Sequence, residues 1–260
     1  MKTNALIPDS TGAARPFARD IPILMYHDLV APGAVPGPHA LGLRQFESQL
    51  DALQRAGWVT RRFPELRAAL EGRAAWPARG VWITFDDGYA SFLELAVPAL
   101  RARGMTATVF AVAGEIGGCN RWDASRGGPH RTLLDEHGLR AAQAAGMEIG
   151  SHGWAHRNLT TCSAEELEDE IVRSRGELQD RLGVAVSAFA YPYGHYAPAL
   201  FPRLARAGYH TAVAVRSREP SVTSNLLAMR RAAIHAGDSR LRFRLKLSRL
   251  YFRYRGWRRS

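Results

Sequence analysis

Two adjacent carboxylates, Asp86 and Asp87, close the run Val81-Trp82-Ile83-Thr84-Phe85 and are followed at once by Gly88 and Tyr89. A short apolar, β-branched run reads as a buried strand, and α/β folds gather their chemistry at the C-terminal ends of such strands. Further along, His152 and His156 stand four residues apart in Ser151-His152-Gly153-Trp154-Ala155-His156. In a helical turn, that spacing puts both imidazoles on one side. Read separately, each motif has an ordinary explanation: Asp86-Asp87-Gly88 as a turn with Asp87 capping a helix, and the histidines as surface or capping groups. Together they make an Asp/His/His set for one divalent metal. Two imidazoles and a carboxylate suit Zn²⁺ with a position left open for water, and Co²⁺, Ni²⁺ or Fe²⁺ would also fit. The second carboxylate is then free for a separate task, removing a proton from that water. Successive strand residues point to opposite faces, so the backbone must turn at the strand's end for both acids to reach one pocket.

Placing these groups together requires parallel strands, and the chain alternates accordingly. Ile21–Tyr26 reads as a buried strand ending at His27-Asp28, and the Pro/Gly-rich stretch Ala31–Leu43 reads as a loop. A helix follows with Phe46, Leu50 and Leu53 on its apolar face, and Phe63–Leu70 is a second, shorter one. After the strand at 81–86, helices are expected over 89–103, 133–145 and 198–206, and strands at 106–112, 184–191, 209–215 and 229–235. Ser163-Ala164-Glu165-Glu166 fits a capping box that opens a helix reaching Leu182. The segment 114–131 is a long loop near the strand ends. Some seven strand/helix alternations joined by right-handed crossovers make a β/α barrel the simplest architecture.

At 260 residues and 46% hydrophobic, the chain can bury one sizeable core. The first residues, Met1–Ser10, hold one lysine and no apolar stretch, which speaks against a secretory signal or a membrane anchor and for a cytoplasmic location. Cys119 and Cys162 are read as separate thiols. The net charge of +11 is concentrated: nine basic residues and no acid lie between Arg240 and Ser260, leaving +2 for residues 1–239. The expected domain plan is a flexible lead-in over 1–19, a catalytic domain over 20–238 and a basic amphipathic tail over 239–260.

Thr84-Phe85-Asp86-Asp87-Gly88-Tyr89, the pair His152 and His156, and Phe189-Ala190-Tyr191-Pro192-Tyr193-Gly194 resemble, in that order, three motifs of the polysaccharide deacetylase (NodB-homology) family, carbohydrate esterase family 4. The resemblance spans most of residues 21–236. It implies a distorted (β/α)₇ barrel and metal-assisted hydrolysis of N-acetyl groups on amino sugars. It further implies Asp86 as general base, Asp87, His152 and His156 as metal ligands, and the backbone N–H of Tyr193 as a donor to the developing oxyanion. Such a preorganised donor contributes ~3–4 kcal/mol. Two departures stand out: Ala190 replaces an arginine that orients the catalytic aspartate in many members, and Gly153 stands where Ser or Thr is usual. The Tyr-Pro-Tyr-Gly variant and the early Leu24-Met25-Tyr26-His27 run resemble instead the deacetylases of poly-N-acetylglucosamine systems, whose motif order is circularly permuted.

Two histidines qualify as the acid that protonates the leaving amine: His27 on the first strand, and His235 after Ala232-Ala233-Ile234. The likeness to the permuted branch favours His27 and leaves His235 as the alternative. Trp122 and Asp123 are candidates for lining a sugar groove, or for anchoring their loop. In the tail, Phe243, Leu247, Leu250, Tyr254 and Trp257 recur at helical spacing in a cationic segment. That stripe either packs on the barrel or lies on an anionic membrane, with nucleic acid a weaker third partner. The resulting expectation is a metal-dependent N-deacetylase acting on an N-acetylated glycan or its lipid-linked precursor, in the cytoplasm, either free or peripheral at the inner face of the membrane. A hydrolase of a small acetamide and a non-catalytic glycan- or membrane-associated scaffold are the alternatives.

Overall fold

The described residues of the computed structural model run from 21 to 251, without 35, 36, 38, 77, 125, 126, 128, 129, 216–224, 249 and 250. The lead-in at 1–19 and the tail residues Leu250, Tyr254 and Trp257 therefore lie outside them. The chain opens with β1 (Ile23–Tyr26), β2 (Asp28–Val30), β3 (Ala40–Gly42), α1 (Leu43–Arg55), β4 (Val59–Thr60) and α2 (Phe63–Leu70). Next come β5 (Gly80–Phe85), a π-helical turn at Phe92–Ala96 that runs into α3 (Val97–Arg101), β6 (Thr108–Ala111), α4 (Arg121–Ala124) and α5 (Glu136–Ala144). β7 (Glu148–Ser151) precedes α6 (Ala164–Glu168), which a π-helical turn joins to α7 (Ser174–Leu182). The chain closes with β8 (Ala188–Ala190), α8 (Phe201–Ala207), β9 (Thr211–Ala214), β10 (Met229–Arg230), β11 (Ala232–Ala233) and α9 (Arg240–Lys246).

The main sheet is parallel, in the order β10-β9-β8-β7-β6-β5-β1-β11, with β4 added beside β5. β10 pairs with β9 and β11 with β1, so residues 229–233 bridge the two ends of the sheet. Across the bridge, Arg231 N–H donates to Ala214 O and Ile234 N–H to Met25 O. The last strand expected at 229–235 is thus one stave broken at Arg231. Counted this way the barrel has seven staves, the distorted (β/α)₇ form the resemblance implies.

Alternation along the strands separates two apolar layers. Ile23, Trp82, Phe110, Ala188, Val213 and Met229 cluster together, joined by Phe63 and Leu66 of α2. Because β4 and α2 adjoin the start of β5, α2 covers the end of the barrel opposite Asp86. Leu24, Ile83, Val109, Ile149, Phe189 and Ala212 belong to the other layer, packed with helix residues such as Phe46, Leu50, Leu100, Leu139 and Leu178.

Several boundaries differ from the sequence reading. The loop expected at 31–43 contains β3, which pairs parallel with β2. The helix expected from Tyr89 starts only at Phe92, because Tyr89 bridges to Leu133. The same bridge delays α5 until Asp135, whose carboxylate accepts the Gly138 N–H at 2.7 Å and caps the helix. The capping box at Ser163 forms as expected, with both reciprocal hydrogen bonds. Both cysteines are free thiols. In the tail, Phe243 is buried and Leu247 packs against the core, so the described part of that stripe faces the barrel. Lys246 is buried with it, donating to Ala233 O at 2.6 Å and paired with Asp238.

Candidate active site

Trp82, Thr84 and Asp86 alternate onto the same face of β5, which would leave Asp87 on the other. Instead Asp87 takes φ 72°, and this left-handed turn swings its carboxylate to the same side as that of Asp86. His156 (φ 57°) and Tyr193 (φ 60°) share the conformation, and these three are the only non-glycine residues with positive φ among those described. All three meet at one place. A non-glycine residue held there costs on the order of 1–3 kcal/mol, which the surrounding packing must offset.

His152 follows β7 directly, and its Nδ1 donates to Ala190 O at 2.8 Å. That bond leaves the Nε2 lone pair facing the carboxylates, 3.5 Å from Asp87 Oδ1. His156 brings its Nε2 to 3.3 Å from the same oxygen. The expected helical turn is absent: residues 152–158 are an irregular loop, and the backbone reversal at His156 aims the second ring. Asp87, His152 and His156 are all buried, and one ligand atom from each lies within 4.8 Å of the others. A tetrahedral centre with bonds of about 2.0–2.2 Å puts neighbouring donor atoms roughly 3.3–3.6 Å apart, so the donor types and the two measured separations fit such an ion.

Burial raises the Asp87 pKa, but the hydrogen bond and charge of His156, with the charges of His27 and His152, outweigh it and hold the carboxyl well below its usual range. For His152, burial dominates over the opposing charge of Asp86 and brings the imidazole to about 4, the neutral state a ligand needs.

Asp86 lies beside this trio, its Oδ2 3.9 Å from His152 Nε2, but its carboxylate is engaged elsewhere. Arg231, 1% exposed, grips it with two parallel bonds: Nη1 to Oδ1 at 2.5 Å and Nη2 to Oδ2 at 2.6 Å. Nη1 also donates to Thr84 Oγ1, which itself donates to Leu24 O. Burial raises the Asp86 pKa, and the charge and hydrogen bonds of Arg231, together with the charges of His152 and His27, outweigh it and leave the carboxyl below its ordinary value. An arginine therefore holds Asp86 despite Ala190, supplied from the break between β10 and β11, with β1 alone between that stave and β5. The sequence reading missed it. The available signal was Arg230-Arg231 inside an apolar run, since a buried guanidinium is costly without a carboxylate partner.

A second residue the sequence reading missed is Glu170, in the π-helical turn. Its carboxylate accepts the N–H groups of Trp154 at 3.0 Å and Ala155 at 2.8 Å. Gly153, at φ 86°, makes room for it: a Cβ there would sit 2.2 Å from Glu170 Oε2. The loop carrying His156 is thus tied down by a carboxylate, which accounts for Gly153 in place of Ser or Thr. We expect Glu170→Ala to cost about 1–3 kcal/mol, because two loop N–H groups lose their acceptor. Metal affinity should fall roughly 10–100-fold. Thermal unfolding of the metal-free protein and a metal titration check this, and an unchanged affinity would refute it.

His27, half-buried, follows β1. Burial lowers its pKa while the charges of Asp87 and Asp86 oppose the shift. His235 is exposed and responds, beyond burial, first to Lys246 and Asp238. Both lie on the rim, but only His27 has Asp86 and Asp87 among the charges acting on it. Trp122 stacks on His156 with ring centroids 4.5 Å apart, and the Tyr193 ring meets His156 edge-on at 4.6 Å. Trp122, His156, Asn158, Thr161 and Tyr193 line a cleft of about 470 Å³ beside the trio. Asp123 is turned to Asn120, accepting its Nδ2–H at 3.0 Å.

Residues 74–212 match the profile described as Polysaccharide deacetylase. The chain is 25% identical over 219 residues to YxkH of Bacillus subtilis, covering 84% of this chain and 73% of that one. The fold is similar to that of the Streptococcus pyogenes deacetylase PplD solved with acetate, with TM-score 0.75 and 24% identity over 90% of this chain and 100% of that one. It is also similar to IcaB from Ammonifex degensii, with TM-score 0.73 and 24% identity over 88% and 98% of the two chains.

Proposed function

Because the chain belongs to the polysaccharide deacetylase family, we propose that it removes N-acetyl groups from N-acetylhexosamine units of a polysaccharide or its lipid-linked precursor, releasing acetate, and that it needs one divalent metal to do so. The observation that carries this reading is the difference between adjacent acids: Asp87 Oδ1 is approached by both His152 and His156, while both oxygens of Asp86 accept from Arg231. Zn²⁺ is the ion best suited to this donor set, with Co²⁺, Ni²⁺ and Fe²⁺ as alternatives. When bound, the ion supplies Lewis acidity toward the acetamide carbonyl and lowers the pKa of water.

The chain's own groups do the rest. Asp86, kept ionised by Arg231, takes a proton from the attacking water. The Tyr193 N–H donates to the carbonyl oxygen as negative charge gathers there. Trp122 and Tyr193 flank the cleft as apolar faces for a pyranose ring. His27, as the imidazolium, delivers a proton to the departing amine; burial lowers its pKa, which makes it a stronger acid and confines the charged form to lower pH.

The test is acetate release from N-acetylglucosamine oligomers by metal-stripped protein, before and after adding Zn²⁺, Co²⁺ or Ni²⁺. We expect release only with metal, a loss of about 10²–10⁴-fold in His27→Ala, and a rate within severalfold of wild type in His235→Ala. The reverse pattern would assign the acid to His235. No release by wild type with metal bound would redirect the search to small acetamides, and then to a non-catalytic scaffold.

A further inference from the structure

Of the large hydrophobic side chains exposed among the described residues, two are leucines, and both lie on α9: Leu241 is 78% exposed and Leu245 48%. They stand one turn apart, facing away from buried Phe243 and Lys246. Arg240, Arg242 and Arg244 are exposed around them. Lys246 is committed to Ala233 and Asp238 inside the fold, so the arginines carry the outward charge. Arg44 and Arg55 of α1 extend it across a groove of about 980 Å³ that also takes in Arg240 and Arg244.

We propose that the outward face of α9 docks on an anionic phospholipid bilayer. Exposed aliphatic side chains set among guanidinium groups match the two layers of such a surface, hydrocarbon below and phosphate above. The chain beyond the helix continues the same chemistry: residues 247–260 add Arg249, Arg253, Arg255, Arg258 and Arg259, interleaved with Tyr251, Phe252, Tyr254 and Trp257, and contain no acid. Residues 1–239 carry a net charge of only +2, so attraction to an anionic surface is directed through this end of the chain. A nucleic acid would engage the arginines but gain nothing from Leu241 and Leu245. The lipid-facing leucines are not the stripe read from the sequence. Phe243 and Leu247 of that stripe hold α9 to the barrel, and the opposite face meets the lipid. α9 also starts at the rim bearing the active site, since β11 ends beside β1 and Ile234 bonds Met25 there.

Flotation of the full chain with vesicles of phosphatidylcholine alone, or mixed with phosphatidylglycerol, tests the surface across a salt series. Binding is expected only with phosphatidylglycerol. The paired change Leu241→Ser and Leu245→Ser should weaken it about tenfold or more. Arg242→Gln and Arg244→Gln should weaken it about fivefold each. Both sets of variants should keep the wild-type Tm and acetate release from soluble oligomers. The proposal is overturned by absence of flotation, by equal flotation on neutral vesicles, or by leucine variants that bind as wild type does. Duplex DNA held more tightly than the vesicles, and independently of the leucines, would show a polyanion site instead.

Discussion

Asp86→Asn is expected to lower acetate release by about 10²–10⁴-fold while leaving metal affinity close to that of wild type. The amide keeps the size of the carboxylate and can still accept one hydrogen bond from Arg231, so the loss falls on proton removal. Asp87→Asn makes the contrast. Its Oδ1 is the oxygen both Nε2 atoms approach at 3.5 and 3.3 Å, so there the first quantity to fall is metal affinity. Parallel metal titrations and rate measurements on the two variants separate the roles. Comparable metal loss in both, or an Asp86→Asn enzyme within a few-fold of wild type, would defeat the assignment.

Arg231→Met is expected to destabilise the protein by about 3–5 kcal/mol, because it strands the Asp86 carboxylate without its buried partner. The pH dependence has a definite sign. Burial pushes the Asp86 pKa up and Arg231, with smaller help from His152 and His27, pulls it below its usual value, so removing Arg231 raises it. In the wild type, the stability from this pair is present above the unfolded carboxyl's pKa and is lost as pH falls through the lower folded value. The acid limb of kcat/KM should accordingly move to higher pH in Arg231→Met. Arg231→Lys keeps the charge without the two-pronged grip and should fall between. Adding Asp86→Asn to Arg231→Met should recover part of the lost stability, since no buried charge is then left unpaired. An unshifted acid limb would mean that Arg231 serves the fold alone.

Much of this was legible in the sequence because it depends on neighbours along the chain. The run 81–86 is apolar and ends in two acids, and it forms β5 with those acids at its tip. Ser163 and Glu166 are three residues apart and close their capping box. The motif order pointed to the family and to the seven-stave barrel. The helix boundaries at Tyr89 and Leu133 were misplaced because those residues bridge to each other, a contact that neither local stretch reveals.

What the sequence by itself determined was the set of chemical groups: two acids at a strand end, a pair of histidines, and a tail with nine basic residues and no acid. Only the tertiary structure decided how they are used. The histidines share a site through a left-handed backbone at His156, held by Glu170 fourteen residues away, and not through helical spacing. The guanidinium beside Asp86 comes from Arg231, 145 residues distant, because a break in the last stave turns that side chain to the pocket. In the tail, packing against the barrel selects which apolar face of α9 is buried, leaving Leu241 and Leu245 outside. Each of these rests on a contact closed by the barrel itself. Local propensity fixes which residues begin and end an element, but side chains from distant strands meet only once the sheet has closed.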